Sequence, residues 1–193
     1  LLGNGKFSRL NIDNPNGVNV KGGGFLVSEQ LTLSRGELRN SETENFRMGD
    51  SSKIIRNVGS SIATTAQFEG RVDVEYVGSG SMVSGGELPR SYENLQKLSQ
   101  MNNGDLVLSH NVQVNDSLYV AGRIFTQNDT LTLSSRKNIE YDLRNSNAEI
   151  SGTIRLTNLH ADSSKMILHN PYTYALFRDK LAKNGLNELT VTI

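Results

Sequence analysis

The chain contains no cysteine and no tryptophan. Without cysteine, neither a disulfide framework nor a thiolate metal site is available. Aromatic residues make up 6 % and hydrophobic residues 36 % of the 193 residues. That inventory is too lean for a thick globular core and suits a thin one lined by Val, Leu and Ile. An excess of either charge is missing too: 20 Lys plus Arg balance 20 Asp plus Glu. The sequence therefore carries no electrostatic footprint for nucleic acid or for an anionic membrane surface. No apolar run approaches the length of a membrane span, and no signal peptide is visible. The chain opens Leu-Leu-Gly-Asn-Gly without Met and stops on Leu189-Thr-Val-Thr-Ile193. Both ends read as cuts from something longer, which could carry a targeting signal.

What is present is a series of short apolar bursts divided by turn residues. From Gly17 to Leu38 they fall at Val18/Val20, Phe25/Val27, Leu31/Leu33 and Leu38. Apolar residues that alternate with small polar ones lie on one face of a strand, with the polar ones on the other. The 18 glycines follow no collagen period and, with Asn and Ser, serve the turns. Strands this short need stacked neighbours, and the rest of the chain supplies copies. Shifted by roughly 85–88 residues, the bursts superimpose. Leu10 meets Leu98, Val18/Val20 meet Leu106/Leu108, Val27 meets Val114, Leu31/Leu33 meet Leu118/Val120, Phe46/Met48 meet Leu131/Leu133, and Ile54 meets Ile139.

A finer period of about 20–22 residues holds three bursts per unit, the pattern of a coil of three short strands. The expected windings are Leu10–Ile12, Val18–Val20 and Phe25–Val27, then Leu31–Leu33, Leu38 and Phe46–Met48. Ile54–Ile55, Ser61–Ala63 and Val72–Val77 form the third. The fold expected is all-β, a right-handed parallel β-helix (solenoid) of two related modules with a C-terminal cap or junction. The modules are residues 1–89 and 90–149, followed by terminal coils and cap at 150–193. Pro89 marks the first boundary, because it cannot donate to a ladder. A β-sandwich is the alternative, but its strands are usually longer. Near the C-terminus, Ile150–Leu156 and Met166–Leu168 read as strand, and Tyr174, Phe177 and Leu181 stand at helical spacing before Asn184-Gly185. That spacing suggests a short helix ahead of the last strand.

No catalytic site is legible. His110, His160 and His169 are the only histidines; none matches a metal-binding helix motif, and solvent-facing turn positions are expected for them. Gly59-Ser-Ser-Ile-Ala63 falls one glycine short of a nucleophile elbow. Gly22-Gly-Gly24 and Gly78-Ser-Gly80 lack the dinucleotide fingerprint. The turn Asp13-Asn14-Pro15-Asn16-Gly17 lacks the spacing of an EF-hand loop. One carboxylate pair has chemistry to weigh. Asp73 and Glu75 point the same way from one alternating strand, about 7 Å apart, as an acid pair of a polysaccharide lyase or hydrolase would. The competing reading is a solvated outer face neutralised by Lys53, Arg56 and Arg71.

Three phrases carry a resemblance. They are Gly5-Lys-Phe-Ser-Arg-Leu-Asn-Ile-Asp-Asn-Pro-Asn-Gly-Val18, Leu31-Thr-Leu-Ser-Arg-Gly-Glu-Leu38, and Val72-Asp-Val-Glu-Tyr-Val-Gly-Ser79 leading to Glu87-Leu-Pro89. With them the chain resembles the repeat regions of large secreted cell-surface proteins of the Bacteroidetes and Ignavibacteria group, cargo of type IX secretion. The resemblance implies an extracellular, bacterial cell-surface location and a non-catalytic role as stalk, spacer, sheath, filament component or adhesin segment. It also draws attention to Asp116-Ser117-Leu118 and Asp129-Thr130-Leu131, which match a short O-glycosylation phrase of such surface proteins and make Ser117 and Thr130 candidate sites. The expected partners are neighbouring repeats of the same chain, other copies of it, or glycans. No cofactor, metal, nucleic acid or membrane insertion is expected. The alternative function is a carbohydrate-binding or polysaccharide-cleaving β-helix.

Overall fold

A strand of three to six residues leaves unpaired N–H and C=O groups along both edges. On one face of this chain, successive strands satisfy both edges with the equivalent strand one coil earlier and one coil later. The computed structural model describes residues 5–21, 23–40, 46–134, 139–157, 165–167, 169–170, 174–176 and 188–192. Its strands are β1 (Gly5–Asp13), β2 (Val18–Val20), β3 (Phe25–Asn40), β4 (Phe46–Met48), β5 (Ser52–Asn57), β6 (Ser60–Ile62), β7 (Gln67–Phe68), β8 (Val72–Val77), β9 (Met82–Val83) and β10 (Leu95–Gln100). After them come β11 (Asp105–Val107), β12 (Val112–Val114), β13 (Ser117–Val120), β14 (Arg123–Leu133), β15 (Ile139–Tyr141), β16 (Glu149–Thr157), β17 (Lys165–Ile167), β18 (Tyr174–Leu176) and β19 (Glu188–Thr192). The pairing is parallel throughout the coils, and the chain winds as a β-solenoid of about 7 turns.

Each turn contributes to three faces. On the first face β1, β3, β5, β8, β10, β13 and β15 follow one another in register, so that Leu10, Leu31, Ile54, Val74, Leu98, Leu118 and Ile139 form one inward column. Leu31, Ile54 and Leu98 are fully buried. On the second face Met82, Leu106, Ile124 and Ile150 form an equivalent column. On the third, Val112, Leu131 and Ile154 stack, as do Val114, Leu133 and Leu156. Near the N-terminal end the third face is aromatic: Phe25 and Phe46 stack with ring centroids 4.9 Å apart. The solenoid is therefore filled by stacked, mostly aliphatic columns, as the lean composition requires.

The longer repeat in the sequence has a geometric meaning in this arrangement. Leu10 and Leu98 lie on the same column four coils apart, as do Leu31 with Leu118 and Ile54 with Ile139. The parallel ladder runs past Pro89, with Val74 of β8 beside Leu98 of β10. The first two expected windings match the three faces. The third does not: Val72–Val77 opens the next coil on the first face, beside β5, and the short β7 takes the third-face position beside β4. Two adjacent Ile residues in β5 and the brevity of β7 hide this division in the sequence.

Corners are made by residues with left-handed backbone. Gly36 (φ 79°) bends β3 from the first face to the second, and Gln127 (φ 54°) and Gly152 (φ 113°) bend β14 and β16 from the second to the third. At the C-terminal end β19 runs antiparallel along β16, placing Val191 beside Ile154 and Leu189 beside Leu156. The helix suggested by Tyr174, Phe177 and Leu181 is not formed at Tyr174, which lies in β18, antiparallel to β17. Phe177, Leu181 and Asn184-Gly185 lie outside the described residues. Met166 pairs with Ala175 in that separate two-stranded sheet and does not continue the solenoid.

Two glycines give a graded test of the corner geometry. A Cβ on Gly36 would run into the Asn14 carbonyl of the coil before it, whereas a Cβ on Gly59 (φ 83°) meets nothing within 4 Å. Gly59→Ala then carries only the left-handed backbone cost of about 1–2 kcal/mol. Gly36→Ala carries that cost plus a backbone clash, so urea denaturation should show it losing clearly more stability than Gly59→Ala. Equal losses would contradict this corner geometry.

Candidate functional site

Alternation turns the odd-numbered residues of β8 outward. Asp73 and Glu75 therefore do share the outer first face, both half-buried. The register sets Asp73 between Lys53 of β5 and Lys97 of β10. Glu75 accepts a hydrogen bond from Lys53 Nζ at 2.6 Å, and Lys97 Nζ lies 3.9 Å from Asp116. Burial pushes the Asp73 carboxyl above its ordinary value, with Lys97 and Lys53 pulling it back down. The pair belongs to a ladder of alternating charge that crosses the coils.

The same pattern continues around the exterior. Arg9–Glu29, Arg35–Asp13, Arg47–Glu69, Arg71–Asp50 and Arg123–Asp105 each join adjacent coils. Asp50 is held down to about 2, first by the Arg71 backbone N–H and then by its guanidinium. Exposed pairs of this kind contribute little individually, but they cancel the charge of the outer faces locally. In the Asp13–Gly17 turn, Asn14 Oδ1 accepts the Asn16 N–H and the Asn14 carbonyl accepts the Gly17 N–H, while Asp13 pairs with Arg35. Among the described residues no group of three or more His, Asp or Glu side chains is placed to hold a metal.

Arg56 does not join the outer face. It stands in an inward column with Leu33, Tyr76 and Gln100 and is 7 % exposed. Its guanidinium donates to the carbonyls of Ser60 and Val83 and to Glu87 Oε1. Glu87 is fully buried, and the same oxygen accepts the Tyr76 hydroxyl at 2.7 Å and the Gly85 N–H at 2.8 Å. Glu87 Oε2 is buried with no partner among the described residues. Burial, and then the Glu87 charge, push the Tyr76 hydroxyl well above its ordinary value, so it stays a proton donor. One coil on, the buried Gln100 amide donates to the carbonyls of Asn102 and Gly104 and accepts the N–H groups of Ala121 and Gly122. These polar side chains tie the corner between the first and second faces.

The histidines separate. His160 lies outside the described residues. His110 is half-buried with Nδ1 3.1 Å from Ser109 Oγ. His169, expected at a solvent-facing turn, is 2 % exposed. Its Nε2 lies 3.2 Å from the Gly152 carbonyl, and its own carbonyl accepts the Ile150 N–H at 2.6 Å. The near-elbow phrase at Gly59 is a corner leading into β6, where Ser60 Oγ donates to the Leu33 and Asn57 carbonyls. Gly78 and Gly80 are left-handed turn residues, and Gly22 lies outside the described residues. Ser117 opens β13 and Thr130 lies in β14, where its N–H donates to Asn111 Oδ1. Both are half-buried strand residues.

One feature not foreseen in the sequence is a groove of about 580 Å³ on the third face. Its floor is the outward side of β12, β14, β16 and β19, and its wall includes Tyr92. In the fourth coil residues 84–94 form turns where a third-face strand would lie, and Tyr92, 57 % exposed, sits on that segment. Comparisons with protein-family models, with curated proteins and with solved structures find no match for this chain.

Two measurements test the buried groups. Glu87→Leu strands the Arg56 cation inside the corner, a loss of about 3–5 kcal/mol for one partner of a buried pair. The double change Arg56→Met with Glu87→Leu removes both charges, and its urea midpoint should recover much of that loss; a double variant as unstable as the single one would contradict the pairing. Burial holds the His169 imidazole below its ordinary value, so the folded state binds its proton later than the unfolded chain, which takes it near pH 6.5. The stability this contributes is present above about pH 6.5 and declines as pH falls through the window below it. Exchange of the Ile150 amide, corrected for its intrinsic rate, should accelerate between pH 7.5 and pH 5 in the native chain and not in His169→Gln.

Proposed function

We propose that this chain is a non-catalytic structural or adhesive segment of a secreted bacterial cell-surface protein, acting as a stiff stalk or spacer or as part of a sheath or filament. The observation that carries this reading is the inward aliphatic column running in register from Leu10 to Ile139. A solenoid holds its length because each coil is fixed by contacts with its two neighbours. Its reach then grows by one strand spacing, about 4.8 Å, per coil. The exterior supports the same role, because its ion pairs join coil to coil along the axis and leave the surface without a field of one sign. The extracellular location and the type IX route rest on the resemblance in the phrases Gly5–Val18, Leu31–Leu38 and Val72–Pro89.

The polysaccharide-cleaving alternative has a direct assay. The purified chain, incubated with a panel of plant, algal and bacterial polysaccharides, should release no reducing ends or unsaturated products. In cells that make the parent protein, protease applied to the intact surface should shed peptides from this chain. Product release abolished by Asp73→Asn or Glu75→Gln would replace the structural reading with the enzymatic one. Peptides released only after lysis would remove the surface location.

A further inference from the structure

Some features of the molecule have an internal explanation. Glu87 and His169 lock corners, the carboxylates of the first face answer lysines, and the exposed Val83 belongs to a short outward row with Val107 and Phe125. The groove on the third face does not serve the fold in this way. Its residues are arranged by the register. Gln113 of β12, Thr132 of β14, Arg155 of β16 and Thr190 of β19 stand side by side across the sheet. At a strand spacing of about 4.8 Å they span roughly 14 Å. A second row, Thr130, Thr153 and Thr192, lies two residues away on the same strands.

The chemistry of this floor is specific. It offers hydroxyl and carboxamide groups, each able to donate and to accept. Among the described residues its one cation, Arg155, is paired with Glu188 at 2.7 Å, so these lining residues carry no net charge with which to draw an ionic ligand. The polar groups stand on the face of the sheet, while its edge strands β12 and β19 lie at the margins of the floor. The wall is an exposed aromatic ring on a backbone that is held from behind: Asn115 Nδ2 donates to the Tyr92 carbonyl at 2.7 Å and to the Leu95 carbonyl at 2.9 Å. Asn115 Oδ1 in turn accepts from Gln113 Nε2 and Ser134 Oγ. One network therefore joins the backbone that carries the aromatic wall to the first residue of the floor. A tyrosine ring presents an apolar face and a polar tip, and the groove's volume of about 580 Å³ falls within the range of small-ligand sites.

We infer that the third-face groove walled by Tyr92 binds a short neutral oligosaccharide, its sugar hydroxyls on the Gln113–Thr132–Thr190 row and one ring stacked on Tyr92. The ligand class follows from the groove: hydroxyl-rich to match the floor, uncharged to match its neutrality, and with an apolar ring face to match the tyrosine. Such a site gives the adhesive role a defined contact, yet it stands independently of the spacer role, which survives if no sugar binds.

The test uses the chain as it is, titrated with cellohexaose, xylohexaose, mannohexaose and chitohexaose, with hexagalacturonate as the acidic comparison. Calorimetry gives affinity, and amide chemical shifts give location. At least one neutral hexasaccharide should bind with a Kd of millimolar or tighter, moving the amides of Gln113, Thr132 and Thr190 and leaving those of the first face in place. Tyr92→Ala should weaken it roughly tenfold, the loss of one ring contact, at an unchanged melting temperature, because Asn115 still holds the backbone at position 92. Thr132→Val, which keeps shape and removes the hydroxyl, should weaken it as well. No binding by any neutral hexasaccharide, shifts confined to another face, binding indifferent to Tyr92→Ala, or preference for hexagalacturonate would each overturn the inference. Retained folding with no sugar bound would leave the structural reading intact, whereas reducing ends released in the companion assay would count against that reading alone.

Discussion

In-register parallel pairing between one coil and the next is the constraint on which everything else rests. Side chains alternate with a period of two, so a slip of one residue between coils would exchange the inside and the outside of a whole strand. Leu31, Ile54, Val74, Leu98 and Leu118 keep their column only because every ladder on the first face holds its phase. The same phase sets the exterior. It brings Lys53 beside Asp73 and Asp73 beside Lys97, and it assembles Gln113, Thr132, Arg155 and Thr190 into one row. Core, charge ladder and groove are thus three readings of a single register.

Corners are where the repeat is interrupted, and there the chain uses polar side chains. Leu33 of the second inward column is followed by Arg56, Tyr76 and Gln100 before Val120 restores the aliphatic pattern. A buried cation is costly unless it is paired and hydrogen-bonded. Arg56 meets that requirement with two carbonyls and Glu87, and Gln100 meets its own with four backbone groups. These contacts fasten the turns between the first and second faces, where aliphatic packing alone would leave backbone groups unsatisfied.

What could be read from the sequence follows the same division. The first-face column was legible because Leu10, Leu31 and Leu118 each sit in an alternating burst and Ile54 and Leu98 recur at the longer offset, which is four coils. Arg56 was misplaced because Ser-Lys-Ile-Ile-Arg-Asn in β5 carries two adjacent isoleucines, which leaves the phase of alternation open. Its partner Glu87 sits in a turn 31 residues away, beyond the reach of local pattern. The burial of His169 depends on a contact with Gly152, and the groove depends on a turn of the fourth coil standing beside strands of later coils. No local periodicity reports such contacts. One signal was available for the groove: Thr130/Thr132 and Thr190/Thr192 both alternate with aliphatic residues, and such strands present a row of hydroxyls outward.

The absence of cysteine makes the register open to direct measurement, since nitroxide labels can be attached at introduced cysteines without background. Arg9, Gln30, Lys53, Asp73, Lys97 and Ser117 form one outward row of the first face, one residue per coil. Pulsed electron–electron distance measurements on the pairs Gln30/Ser117 and Arg9/Ser117 would read four and five coil steps, about 19 and 24 Å at a strand spacing of about 4.8 Å. A separation that grows by one strand spacing per coil is the result this account predicts. Distances that fail to grow with coil number, as in two face-to-face antiparallel layers, would contradict it.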